Sequence, residues 1–349
     1  MMSEKTNPYT LSFGKQPPQM VSRFFETQDI IDAFKSDPPA NQVYILTGVR
    51  GSGKTVTMTE IAKEMDRDKD WIIVNLTAEY DLVESLAAEL GEKKELKQFF
   101  KIEGLSVSLP GITIDVKNVS PITDAKVAVS KMLRIIRKKG KKVLVTLDEA
   151  SNNESVKKFA AVFQILLREE LPIYLIMTGL YENIRSLQDE KSLTFLYRAP
   201  RIELPPLSMR GIAENYQKTF SLDTKKADEM AALTKGYPYA FQLLGYLTWR
   251  AGGDYGSVIT EYRRYLEDYV YDKIYSEMSE KDRKVALGIA HSSTGGVEEI
   301  KNILNMKQNE WNPYRKRLLD KGIIIIPERG KVSFTLPYFA EFLMENYQE

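Results

Sequence analysis

The densest chemistry in the chain lies in Gly48-Val49-Arg50-Gly51-Ser52-Gly53-Lys54-Thr55, a G-x-x-x-x-G-K-[ST] pattern. An apolar run, Val43-Tyr44-Ile45-Leu46, stands before it and reads as a short buried strand. After it, Thr55, Met58, Ile61, Ala62 and Met65 recur at helical spacing. Strand, glycine-rich loop and helix in that order predict a phosphate cradle. Gly48, Gly51 and Gly53 let the loop take backbone angles closed to other residues. Its amides then converge on one concavity at a helix N-terminus. Lys54 reaches the outer phosphates as a point charge, and the Thr55 hydroxyl is placed to ligate Mg²⁺. The expected contact set runs on to Val56. The plain alternative, a glycine-rich turn before a helix, is disfavoured by the flanks.

The second signal is Val143-Leu144-Val145-Thr146-Leu147-Asp148-Glu149. Its near-continuous apolar run predicts a strand buried on both faces, hence a central parallel strand. Ligands of open parallel sheets sit beyond the C-terminal strand ends. There Asp148 would hold Mg²⁺, directly or through water. Glu149 would orient and deprotonate an attacking water. The alternative is a pair of acids capping the next helix. A further strand, Ile173-Tyr174-Leu175-Ile176-Met177, ends at Thr178-Gly179. Thr178 is the expected sensor, a polar strand-end residue able to touch a γ-phosphate or position the water. Arg198 and Arg201 flank the last expected strand, Arg201-Ile202-Glu203-Leu204. Each could stabilise charge on a transferring phosphoryl group, in cis or across a subunit interface, but a structural surface arginine is the favoured reading of both.

Composition narrows the classes. The chain has 349 residues, enough for two or three domains. Lys and Arg number 49 against 48 Asp and Glu, net +1, which argues against a whole-surface field for nucleic acid or membrane. There is no Cys and a single His, His291, so disulfides, thiolate zinc sites, cysteine nucleophiles and His-rich metal sites are excluded. No apolar run approaches membrane-spanning length and no signal-peptide core is evident. The expectation is a soluble, cytoplasmic protein.

The remaining elements follow in order. Residues 1–19 are polar with prolines at 8, 17 and 18 and read as an extended arm. Helices are expected over 27–34, 81–90, 123–139 and 156–167, with residues 92–102 charged and irregular. Leu105, Val107, Leu109, Ile112, Ile114 and Val116 alternate around Pro110-Gly111 and predict a hairpin with one apolar face. It either packs on the surrounding domain or offers a partner surface. Residues 206–275 carry only helical patterns: 208–219, 224–234, 238–250 and 257–275. The tyrosines at 262, 265, 269, 271 and 275 read as packing, with a base-stacking platform as the alternative. Residues 279–349 read as a winged helix: helices at 282–290, 297–304 and 311–321, a stop at Gly322, then a wing hairpin around Pro327-Glu328-Arg329-Gly330. The third helix carries Arg315, Lys316, Arg317 and Lys321 and would be the major-groove element of a DNA binder, with Arg329 and Lys331 near phosphates. Glu310, Asp320 and Glu328 stand against that reading.

Gly48–Thr55, Asp148-Glu149 and Thr178 together resemble the AAA+ branch of P-loop ATPases. Arg201-Ile202-Glu203-Leu204-Pro205-Pro206-Leu207-Ser208 resembles the last core strand and lid entry of origin-recognition-type and STAND ATPases. Lys235-Gly236-Tyr237-Pro238-Tyr239-Ala240 is similar to the Gly-x-Pro motif of the STAND clade. The resemblance implies that Pro238 packs near the nucleotide base and that the segment before the first strand, with Val21 and Arg23, packs against adenine. Pro238 and Ala240 stand where AAA+ lids often carry a sensor arginine, which favours STAND-like switching. Thr178-Gly179-Leu180 lacks the Arg of the STAND Thr-x-Arg strand end.

The resulting expectation is an α/β P-loop NTPase, AAA+-like. It comprises an arm (1–19), a parallel-sheet core (20–205) with the hairpin insertion 104–117, a helical lid (206–275) and a winged helix (276–349). It would bind ATP or ADP with Mg²⁺ and act as a nucleotide-controlled switch on a protein partner or through self-association. Two alternatives stand beside this: an origin-recognition-like DNA-binding ATPase, and a nucleotide-binding scaffold with little turnover.

Overall fold

The computed structural model describes residues 6–12 and 17–347. The rest of the expected arm lies outside them. By packing, the chain divides into two compact units, one made of Phe24–Thr47 and Thr57–Ile202, the other of the residues up to Arg23, Gly48–Val56 and Glu203 onward.

The first unit is built on a parallel sheet. Its strands are β1 (Val43–Thr47), β2 (Trp71–Thr77), β5 (Lys142–Asp148), β6 (Ile173–Gly179) and β7 (Arg201–Glu203), with a separate hairpin of β3 (Val107–Leu109) and β4 (Ile112–Ile114). The five-stranded order is β2-β5-β6-β1-β7. Every residue of β1 and β6 is buried, as a near-continuous apolar sequence requires of central strands. Strand alternation sorts these side chains onto two faces. Val43, Ile45, Val143, Val145, Leu147, Ile173, Leu175 and Met177 join one core, and Tyr44, Leu46, Leu144, Tyr174 and Ile176 join the other. The helices Phe24–Lys35 and Lys54–Asp66 cover the second face through Ile30, Ile31, Phe34, Met58, Ile61 and Met65. The helices Leu82–Glu92, Ala125–Lys138 and Glu154–Arg168 cover the first. Each of these three starts on a side-chain cap: Asp81, Asp124 or Asn153 accepts hydrogen bonds from backbone amides two or three residues on.

The hairpin has the expected register, Val107 opposite Ile114 and Leu109 opposite Ile112. Leu105, Val107, Ile112 and Ile114 are buried in the sheet unit's core. Ile112 lies so close to Gly91 that a Cβ there would stand 1.5 Å from its Cδ1. The apolar face is spent on packing. Residues 92–102 depart from the expected irregular stretch: Lys94–Ile102 is a helix. Leu96 and Phe100, four apart, are buried on its inner side while Lys94, Glu95 and Lys101 face outward, so its charge hid a short amphipathic helix.

In the second unit, the helices Met209–Phe220, Thr224–Ala232 and Pro238–Arg250 follow the expected pattern. Tyr9, from the described part of the arm, is buried among Tyr216, Phe220 and Phe241. The single helix expected over 257–275 is instead three pieces: Ile259–Leu266, a π turn at Glu267–Tyr271, and Asp272–Glu277. The wider turn resets the buried face from Tyr262 and Leu266 to the adjacent Val270 and Tyr271. Tyr262 and Tyr271 are fully buried and donate to the Leu233 and Pro337 carbonyls, and Tyr275 stacks on Tyr347. These three are packing tyrosines.

The C-terminal region has helices Glu280–Ala290, Val297–Leu304 and Gln308–Asp320, then a short hairpin of β8 (Ile324–Ile325) and β9 (Ser333–Phe334), then helix Phe339–Asn346. Gly296 bridges Lys331 across from the hairpin. Two of the basic residues expected to face DNA turn inward. Arg317 Nε lies 2.8 Å from Asp282 Oδ1 and Lys321 Nζ 2.8 Å from Asp282 Oδ2. Burial pushes the Asp282 carboxyl up, but its bonds to Arg317 and Lys321 outweigh this and hold it below the usual carboxylate range. A buried carboxylate needs such partners, and this one buries Lys321 and engages the half-exposed Arg317. Between β8 and β9, Lys331 pairs with Glu328 at 2.6 Å.

Candidate functional site

Loop 48–55 leaves β1 at Thr47 and runs into the helix Lys54–Asp66. Thr47 pairs in register with Gly179 of β6, at the C-terminal sheet edge. Gly51 and Gly53 have φ of +77° and +87°, backbone that favours glycine. At Gly51 a side chain is barred twice over, since a Cβ would lie 2.2 Å from the Tyr237 hydroxyl oxygen.

Donors occupy the loop carbonyls one after another. Lys54 Nζ donates to Gly48 O at 2.9 Å and Val49 O at 3.1 Å. The Tyr237 hydroxyl donates to Arg50 O at 2.6 Å, the Tyr239 amide to Gly51 O at 3.2 Å, and Arg23 Nη2 to Ser52 O at 3.1 Å. Arg23 Nη1 also donates to Pro205 O. The Gly51 and Gly53 amides, by contrast, form no hydrogen bond among the described residues. The Ser52 hydroxyl is buried without a partner among them. Carbonyls engaged and amides unspent is the state of a backbone that fits an anion.

The loop side chains bind outward. Arg50 pairs with Glu277 at 3.1 Å, and Val49 packs into the helical unit's core. Pro238, the first residue of the helix Pro238–Arg250, sits over Gly53, where a Cβ would lie 3.8 Å from its ring. Gly322 (φ +73°) approaches from the C-terminal region, and a Cβ on it would stand 3.5 Å from the Val49 nitrogen. Val21 is half-buried and packs against the same core, beside Gly211. Thr55 and Val56 are half-buried in the first turn of the helix Lys54–Asp66. Of the residues singled out from sequence, Arg23, Arg50, Gly51, Ser52, Gly53, Lys54 and Pro238 thus meet around one loop. Tyr237, Tyr239 and Glu277 join them unanticipated. The Gly-Tyr-Pro-Tyr run was the only available hint to the tyrosines; Glu277 carried none.

The acidic strand end is organised within the sheet unit. Asp148 is the last residue of β5, and Glu149 follows with φ +51°, a left-handed backbone unusual for Glu. Thr178 holds both: its hydroxyl donates to Asp148 Oδ1 and accepts the Glu149 amide at 3.2 Å. The Thr178 carbonyl accepts the Ala150 amide at 2.7 Å. Gly179 completes this corner, because a Cβ there would lie 2.8 Å from Ala150 O. Thr47 Oγ1 is fully buried and without a hydrogen-bond partner among the described residues.

The two arginine candidates stand elsewhere. Arg198 is exposed at the end of the short helix Thr194–Arg198 and makes none of the contacts of the Asp148–Thr178 corner. Arg201 stacks on the Tyr181 ring at 4.9 Å. Among the described residues no three His, Cys, Asp or Glu side chains converge as a metal site. A Mg²⁺ ion that keeps several waters and binds through one carboxylate and phosphate oxygens needs no such cluster. No described helix is long and apolar enough to cross a membrane.

Comparison with known proteins agrees with this architecture. Residues 268–343 match the model of a family described as a domain of unknown function, DUF8462. The search of curated proteins gives no match. Among solved structures, the Walker-type ATPase of Pyrococcus abyssi is similar at TM-score 0.66 and 16% identity, over 93% of this chain and 96% of that one. The Aeropyrum pernix ORC2 protein, in ADPNP–ADP complexes, is similar at TM-score 0.58 and 12% identity, over 96% of this chain and 95% of that one. At such identities the likeness is one of fold. The chain has the fold of an AAA+ P-loop ATPase, a parallel α/β core with a helical C-terminal region.

Proposed function

We propose that the chain binds a nucleoside triphosphate with Mg²⁺ on loop 48–55 and hydrolyses it slowly, as a nucleotide-controlled switch of the STAND type. The observation that carries this reading is the loop itself, with five consecutive carbonyls, 48 to 52, accepting hydrogen bonds while the Gly51 and Gly53 amides remain unspent. That arrangement suits polyphosphate. The ligands of the Aeropyrum pernix relative, ADPNP and ADP, are of this class.

Lys54 would exchange its bonds to the loop carbonyls for phosphate oxygens. Thr55 and Asp148 would hold the ion, whose contribution is to neutralise charge on those oxygens. Glu149 would accept a proton from a water as the water oxygen attacks the γ-phosphorus and the bond to the bridging oxygen of ADP breaks. Thr178, bonded to the Asp148 carboxylate and the Glu149 amide, would orient both. Arg198, exposed on the sheet unit, would act only if a second subunit or a partner brought it to a phosphate.

The test is calorimetry on nucleotide-stripped, folded protein. Heat of binding with Mg-ADP and Mg-ATP is expected, and its absence for both would end the reading. Of the two alternatives, DNA binding loses support from the engagement of Arg317 and Lys321 by Asp282.

A further inference from the structure

Three successive loop carbonyls take donors from distant parts of the chain: Arg50 O from the Tyr237 hydroxyl, Gly51 O from the Tyr239 amide and Ser52 O from Arg23. A trans peptide is planar, so the carbonyl of one residue and the amide of the next point in opposite directions. Anchoring the Arg50 carbonyl therefore aims the Gly51 N–H the other way. Nothing local would do so, because glycine adopts positive and negative φ almost equally and the Arg50–Gly51 plane can flip at little cost. Gly51 also leaves open the space into which the Tyr237 hydroxyl reaches.

We propose that Tyr237 is a positioning residue of the phosphate loop, its hydroxyl holding the Arg50–Gly51 peptide so that the Gly51 amide faces the bound phosphate. Tyr237 is 3% exposed. Burial pushes its hydroxyl well above the ordinary phenol range, so it remains a donor at any ordinary pH. Of the three outside donors it is the one that a single-atom change removes with the ring's packing intact. The inference rests on the nucleotide-binding reading above.

The test compares Tyr237→Phe with Tyr216→Phe in the full chain. Tyr216 is also buried in the helical unit and donates to a backbone carbonyl, Phe241 O, at 2.7 Å, but away from the loop. Both substitutions are expected to lower the melting temperature alike. Only Tyr237→Phe is expected to weaken Mg-ADP binding, about tenfold, and to speed hydrogen exchange of the amides of residues 49–53 in ligand-free protein. Wild-type affinity and wild-type loop exchange in Tyr237→Phe would overturn the proposal, as would equal changes of affinity and of loop exchange in both variants. If the wild type gives no heat with Mg-ADP, the functional reading falls. The exchange arm then decides on Tyr237 alone: faster loop exchange confined to Tyr237→Phe sustains its hold on the peptide, and unchanged exchange removes it.

Discussion

The acidic strand end and the glycine-rich loop 48–55 are held in place by different means. Asp148, Glu149 and Thr178 stand at the ends of neighbouring strands whose ladder runs from Val143–Ile173 to Leu147–Met177. Their geometry is inherited from a buried sheet and closed by short bonds between residues 148, 149, 150 and 178. The loop has no ladder. Its shape depends on Arg23, Tyr237 and Tyr239 and on an ion pair to Glu277, 227 residues from Arg50. A site carried by a sheet is rigid by construction, whereas a loop held by side chains of a helical unit can respond when those helices move.

The largest effect that tests this contrast belongs to the sheet. Glu149→Gln is expected to lower the rate of phosphate release by about 10²- to 10⁴-fold with Mg-ATP affinity kept. Measurable release left unchanged by the substitution would remove Glu149 as the base. Next comes the anchor of the C-terminal region. Asp282→Ala leaves the buried Lys321 ammonium without its carboxylate and frees the half-exposed Arg317, and is expected to cost about 3 kcal/mol in denaturant unfolding. Its pH dependence has a definite sign. The Asp282 carboxyl is held low in the folded state, so its stabilisation is complete above the unfolded value, about pH 4, and fades as pH falls through the lower folded value. Wild type should lose stability on the acid side more steeply than Asp282→Asn.

On the loop, Lys54→Ala is expected to weaken Mg-ATP about a hundredfold by calorimetry, while the fold is kept, because the Lys54 bonds to Gly48 and Val49 are replaceable by water. A smaller effect is expected at Glu277. Its ion pair with Arg50 is half-exposed, and Glu277→Gln should cost less than about 1 kcal/mol of stability. A large loss would show the loop to be as rigidly held as the strand end and would erase the distinction. In anisotropy titrations with duplex DNA, Arg317→Ala should leave affinity and its salt slope unaltered, since that side chain faces Asp282.

Much of the fold is legible in the sequence because its signals are local. The apolar run 143–147 announces a central strand, and alternation around Pro110-Gly111 announces a hairpin with its register. The misread stretches have equally physical causes. At 94–102 two buried apolar residues, Leu96 and Phe100, amid lysines and a glutamate were enough for a helix once Leu82–Glu92 and Ala125–Lys138 lay beside it. At 267–271 the buried face passes from Leu266 to Tyr271, five positions on, a spacing that fits a π turn and that an α-helical repeat does not foresee. Arg317 and Lys321 look like groove-facing cations until Asp282, 35 and 39 residues away, is seen between them.

What the sequence determined alone is the chemistry on offer: a glycine-rich loop ending in Lys54-Thr55, two acids closing an apolar strand, and the strand and helix that flank each. These are encoded within a few consecutive residues, where backbone freedom and hydrophobic periodicity act. Tertiary structure alone decided which donors hold the loop carbonyls and which basic side chains are spent on Asp282. Those outcomes depend on pairings between residues tens to hundreds of positions apart, and only a packed interior selects among such pairings.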